Sequence, residues 1–177
     1  IGRQIVPTLQ LTGLALLIAL VIAFTVALLA RGRRARGMVA AVELVVLSSP
    51  VFWIGLVLLT VFSFTLGWFP VSGSRGFSAL VLPAVTLALP CAALLGHVLR
   101  DGIEQAEREP FALTVRARGA SDTRLLLRHT LRHGSTGALT LAGYLVGSLL
   151  GGAVLVETVF ARAGLGRVTL TAITDRD

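Results

Sequence analysis

Charged positions divide the chain into four long apolar stretches separated by arginine-rich segments. No Asp, Glu or Arg falls within 4–30, 44–74, 76–96 or 134–156. A helix needs about 20 apolar residues to cross a hydrocarbon core of roughly 30 Å. The pattern therefore predicts spanning helices over about 9–30, 40–66, 80–100 and 137–157, joined by a polar loop at 101–133. A secretory signal peptide does not account for them, because its short apolar core occurs once. The expected fold class is all-α, a polytopic transmembrane helical bundle.

Composition agrees. Of 177 residues, 55% are hydrophobic and 14% charged, against about 25% charged in soluble domains. That excludes a disordered chain, and the lone Cys91 excludes a disulfide scaffold. All sixteen basic residues are arginine, and their placement sets an orientation. Eleven lie in two loops, Arg31–Arg36 and Arg100–Arg132, against five (Arg3, Arg75, Arg162, Arg167 and Arg176) on the other side. The positive-inside rule makes the two basic loops cytoplasmic and puts the Trp68–Phe69–Pro70 corner at the outer interface. Topology and anionic headgroups account for the formal charge of +7 without a nucleic-acid partner.

The segment from Arg100 to His133 is too long for a simple helix connection. Residues 101–108 continue the third span, with Glu104 and Arg108 at i, i+4. Pro110 suits a first helical position, and Gly119 suits the left-handed residue that ends a short helix. Ser121 can cap a further helix, Asp122 favours its positive end, and Gly134 can close it. On that helix Arg124, Arg128 and Arg132 repeat every four residues, with Leu125, Leu126, Leu127 and Leu131 on the other sides. A helix-turn-helix DNA reader has similar ingredients, but both ends here are tied to membrane spans. Two readings remain: an interfacial hairpin without a partner, or a docking element for a soluble subunit.

The run Arg116-Ala117-Arg118-Gly119-Ala120-Ser121-Asp122, followed by Leu126-Leu127-Arg128-His129-Thr130-Leu131-Arg132, resembles the cytoplasmic loop of binding-protein-dependent ABC importer permeases. The resemblance is to the B-type permease subunit of the dipeptide/oligopeptide and nickel importers. Ser49-Pro50-Val51-Phe52-Trp53, Leu66 to Gly73, Leu82 to Pro90, and Gly151 to Phe160 followed by Gly164-Leu165-Gly166-Arg167 resemble the same family in the same order. Departures are few. Leu113-Thr114-Val115 stands where the wider family has Glu-Ala-Ala, Phe111 replaces a tyrosine, and Ser135-Thr136-Gly137 replaces a Leu-Leu-Pro entry to the next span.

This resemblance implies a six-helix permease of the bacterial inner membrane, with one further helix before Ile1 and one after Asp177. It implies a second permease subunit, two cytoplasmic ATP-binding subunits, an extracytoplasmic binding protein and a peptide substrate. ATP and Mg would be held by the partners, and this chain, which has no P-loop, metal-ligand cluster or nucleophile–base spacing, would bind no cofactor. The coupling loop would be carried by Phe111, Thr114, Arg116, Ala117, Arg118, Gly119, Ser121, Asp122, Arg124 and Arg128. Gly143, Gly147 and Gly151 form a small-residue stripe that suits close helix packing, either within the subunit or against the second permease. With Tyr144, Ser148, Ser49 and Pro50 it would then border the translocation path. Glu157 and Phe160 fall at the outer mouth, as a gate or a contact for the binding protein. Pro50, Pro83 and Pro90 read as kinks or as hinges, and Glu43 as the partner of a loop arginine. An ATP-independent transporter or channel, or a non-transport scaffold, are the alternatives; the first fits poorly because the spans carry no central charge.

Orientation is checked by labelling. With Cys91 removed, a cysteine at Ser74 is expected to react with an impermeant reagent added to intact cells, and one at Ser121 is not. The opposite pattern overturns the topology.

Overall fold

The computed structural model describes residues 2–30, 32–71 and 76–166, and within them it is built of helices and short connections. Arg31, Ser72, Gly73, Ser74, Arg75, Arg167 and Arg176 lie outside the described residues, as does the side chain of Arg3.

The first helix, α1 (Gly2–Leu29), buries Leu11, Ala15, Ala19, Ala23 and Ala27, one residue per turn, while Leu9, Leu17 and Val21 stay exposed. In lipid, apolar surface alone does not drive helices together; van der Waals contact does, and small residues bring backbones close enough to make it. The alanine stripe lies against α4 (Ser78–Arg108), which contributes Ala84, Leu87, Ala88, Leu95 and Leu99 to the same core. Of its most apolar window, α4 buries 67%, against 33% for α1, so α4 is the axis of the bundle. It runs unbroken through Pro83 and Pro90, and the Thr86 hydroxyl donates to the Leu82 carbonyl at 2.9 Å between them.

The stretch 40–66, expected as a single span, is a broken pair: α2 (Arg33–Ser48) and α3 (Val51–Leu58), the latter continued by a π-helical stretch, Leu59–Thr65. The two axes meet at 106°. Pro50 is the cause. Its ring excludes the carbonyl four residues back and pushes the preceding residue out of helical geometry, so Ser49 is extended at φ −93°, ψ 132°. The Ser49 hydroxyl donates to the Val45 carbonyl at 2.7 Å, which satisfies one acceptor at the end of α2. Pro50 therefore begins a helix instead of kinking one. Gly55 then lets α3 lie across the bundle, since a Cβ there would stand 3.2 Å from the Thr86 methyl and 3.3 Å from the Phe160 ring.

Beyond α4 come α5 (Pro110–Ala117) and α6 (Asp122–Leu125), which passes through a π-helical turn at Leu126–Thr130 into α7 (Leu131–Val159). Among the described residues three helical stretches, Ile5–Leu29, Ser78–Arg108 and Asp122–Val159, are long and apolar enough to cross a membrane, and the broken pair makes a fourth if counted as one. Gly134, expected to end the helix capped by Ser121, lies inside α7 instead. Its role is contact. Gly102 of α4 and Gly134 of α7 meet backbone to backbone, and a Cβ on Gly134 would lie 2.6 Å from the Gly102 carbonyl carbon.

Gly134→Ala is therefore expected to destabilise the bundle by about 1–3 kcal/mol, the range for overpacking a tight contact. Gly137→Ala, which meets only a Val98 methyl at 3.5 Å, is expected to leave stability unchanged or slightly raised. Thermal unfolding in detergent checks both.

Candidate functional site

The helix ends around Gly119 shape the hairpin between α4 and α7. Glu109 is extended and Pro110 opens α5. At the other end of α5 the Gly119 N–H donates to the Arg116 carbonyl at 2.9 Å and the Ala120 N–H to the Val115 carbonyl at 3.3 Å. That pair of bonds requires a left-handed residue between them, and Gly119 supplies it at φ +80°. Ser121 then caps α6 by accepting the Arg124 N–H at 3.3 Å, and Arg116 reaches Asp122 at 3.4 Å across the turn. Ala112, Leu125, Leu126 and Thr130 are buried beneath the hairpin. Thr114, Arg116, Ala117, Arg118, Gly119, Ser121, Asp122, Arg124 and Arg128 are exposed. Phe111 is half-buried, its ring 4.9 Å from that of His133. Of the leucines on this helix, Leu125 and Leu126 are buried and Leu127 is exposed, within the π-helical turn.

The structure brings both arginine-rich segments to this end. Arg36 at the start of α2 lies 3.7 Å from Glu104 of α4, which also holds Arg108 at 2.6 Å. Deeper in, Glu43 is buried and meets Arg100 through both carboxylate oxygens, with the Nη1–Oε1 bond at 2.6 Å. His97 adds a longer contact at 4.0 Å and also faces Asp101 at 3.5 Å. Gly96 makes room for the pair, since a Cβ there would stand 3.1 Å from Glu43 Oε1 and 3.4 Å from Arg100 Nη1.

One side of α7 is left uncovered. Its inward face, Ala138, Ala142, Leu145, Leu149 and Ala153, is buried, whereas Gly143, Tyr144, Gly147, Ser148 and Gly151 are exposed. A Cβ built on any of the three glycines meets nothing within 4 Å. Packing of this stripe within the subunit, the first of its two readings, does not occur among the described residues. Ser49 is half-buried and Pro50 exposed, both at the bend between α2 and α3.

At the opposite end, Glu157 and Phe160 are interior residues and present no surface to a binding protein in this conformation. Phe160 packs against Gly55. The fully buried Glu157 carboxylate accepts the Thr8 hydroxyl at 2.6 Å and the Gly166 N–H at 2.8 Å, and the Leu165 N–H donates to Thr8 Oγ1 at 3.0 Å. This knot ties the start of α1 to the end of α7, because an isolated buried carboxylate is too costly to leave unbonded. Just beyond α7, Ala161 takes a left-handed φ of +48°, and the Arg162 N–H closes the helix on the Glu157 carbonyl at 2.8 Å. The Arg162 side chain is buried with Nε and Nη1 unbonded; burial pushes its guanidinium pKa below the ordinary value, and the Glu157 charge opposes that shift.

Sequence reasoning missed the Gly102–Gly134 contact, the Gly96 clearance and the Thr8 bond. Isolated glycines inside long helical patterns were the available signal for the first two. Thr8 had none, because its partner lies 149 positions away.

A family profile described as "Binding-protein-dependent transport system inner membrane component" matches residues 14–177. The chain is similar to the glutathione transport system permease protein GsiC of Escherichia coli K12, with 32% identity over 180 residues, 100% of this chain and 59% of that protein. GsiC of Salmonella choleraesuis is 33% identical over 182 residues, with the same coverage. The chain thus spans about three fifths of the length of these curated relatives. In three dimensions it resembles a chain in the crystal structure of an amino acid ABC transporter with histidines, at a TM-score of 0.74 and 17% identity, covering 99% of this chain and 78% of that one. At that identity the likeness shows a shared fold.

Glu157→Ala removes the acceptor for Thr8 and Gly166 together. The expected cost is about 1–3 kcal/mol, the range for removing one partner of a buried hydrogen bond, seen as a lowered unfolding midpoint in detergent.

Proposed function

The chain belongs to the family of binding-protein-dependent transport system inner membrane components, and we propose that it acts as a transmembrane permease subunit of an ABC importer for dipeptides or oligopeptides. The observation that carries this reading is the hairpin at the basic end. Its polar side, from Arg116 to Arg128, is bare, while its apolar side is embedded in the subunit through Leu125, Leu126 and Thr130. Such an element passes a push on its outer face directly to α4 and α7. Two cytoplasmic ATP-binding subunits supply that push, with ATP and Mg in their own sites, so this chain is not an enzyme.

The uncovered face of α7 supports the rest. Gly143, Gly147 and Gly151 make it smooth enough for a second permease subunit to approach, and Tyr144 and Ser148 offer it hydroxyl groups. The substrate then passes between the two permeases, handed over by an extracytoplasmic binding protein at the end opposite the hairpin. The substrate class rests on relatives named as glutathione transport permeases, glutathione being a short peptide.

Gly119→Val tests the coupling role. A Cβ at Gly119 meets nothing within 4 Å, so the substitution strains only the backbone, by about 1–2 kcal/mol for a side chain in left-handed geometry. Membrane insertion is expected to be unchanged, and substrate-stimulated ATPase activity of the reconstituted complex to fall about tenfold, the rate factor that 1.4 kcal/mol corresponds to. Normal stimulation would remove the hairpin from the coupling path.

A further inference from the structure

The bidentate pair between Glu43 and Arg100 has a geometry that simple tethering does not need. Apart from it, α2 is held loosely. Its contact with the bundle is chiefly along α4, and beside that contact an open groove of about 280 Å³ between α1, α2 and α4 is lined by Ile22, Val26, Met38, Val42, Val46 and Leu89. On α2, Leu44, Val45 and Leu47 are also exposed. A second tie, Arg36 to Glu104, is half-exposed and longer at 3.7 Å, and exposed pairs of that kind contribute little. Buried and met through both oxygens, the Glu43–Arg100 pair is the closest polar tie between α2 and α4 among the described residues.

The two ends of this connection matter. Arg100 lies two residues before Gly102, where α4 and α7 meet backbone to backbone at the base of the hairpin. Glu43 lies seven residues before Pro50, where α2 turns through 106° into α3. The inner ends of α4 and α7 and the hairpin are one packed unit, so a displacement of the hairpin moves Arg100 with it. Through Glu43 that displacement passes to α2 and on to the Ser49–Pro50 bend, where two consecutive extended residues break the helical ladder.

We infer that Glu43 and Arg100 are positioning residues that make α2 a lever, transmitting movement of the hairpin to the bend at Ser49–Pro50. The inference rests on the hairpin being the ATPase-coupled element. It adds a third route for the movement, through a helix that does not touch the hairpin's exposed face.

The test uses the full-length protein in its assembled complex, reconstituted in liposomes, with basal ATPase activity and peptide uptake measured together. Glu43→Gln and Arg100→Gln are expected to keep basal hydrolysis within about twofold while lowering uptake about tenfold or more, because breaking one side of a buried pair leaves the other group uncompensated. The exchange Glu43→Arg with Arg100→Glu is expected to recover most of the uptake, which a double-mutant comparison reads as coupling between the two sites. Gly96→Val, which presses on the pair without removing either charge, is expected to behave like the single variants. Normal uptake in the single variants overturns the inference. So does an exchange variant that stays uncoupled, and so does an equal fall of basal hydrolysis and uptake, which would mark the pair as a structural fastening. Uptake without ATP in the unsubstituted complex would instead overturn the reading of the hairpin on which the inference rests.

Discussion

The whole arrangement depends on how closely helices can approach α4. A bilayer removes the difference between buried and exposed apolar surface that drives a soluble core together, so contact must come from shape. The chain meets that need with alanine on α1, glycine at the α4–α7 crossing, and a glycine on α3 where it passes Thr86 and Phe160. The large exposed side chains, Leu17, Val21, Leu139 and Leu155 among them, point the other way. The buried carboxylates are bonded: Glu43 with Arg100 at one end, Glu157 with Thr8 and Gly166 at the other.

Much of this was legible in the sequence. Charge-free stretches located the apolar helices, and local chemistry located the hairpin's turns, because capping by Ser121 and the left-handed Gly119 depend on neighbouring residues alone. Pro50, weighed as a kink or hinge, does mark a sharp bend, but the full break, with Ser49 extended beside it, was not foreseen. One local reading went astray. Gly134 was read as a stop signal, yet the same absence of a side chain serves a helix contact, and nothing local distinguishes the two uses. Glu157 and Phe160, read as a gate or a binding-protein contact, are buried, and that burial was not legible locally because it depends on the distant Thr8 and Gly55.

The two ends of the bundle differ in exposure. At the basic end the hairpin's charges are exposed, and ion pairs join both near neighbours, as in Arg108–Glu104 and Arg116–Asp122, and distant segments, as in Glu43–Arg100. At the other end a single buried carboxylate gathers donors from both extremes of the described chain. Releasing Glu157 would therefore loosen α1 and α7 at once.

A contact that asks only for smallness leaves chemistry unspecified. Alanine, glycine and serine are near equivalents at positions such as 15, 19 and 23, and many different sequences meet the same volume requirement. Mutational drift can then erase residue identity along these faces while the helix axes stay where they are. A chain sharing only 17% of its residues with one in an amino acid ABC transporter can therefore share its fold at a TM-score of 0.74. For this architecture the fold is written in the spacing of the helices more than in the letters.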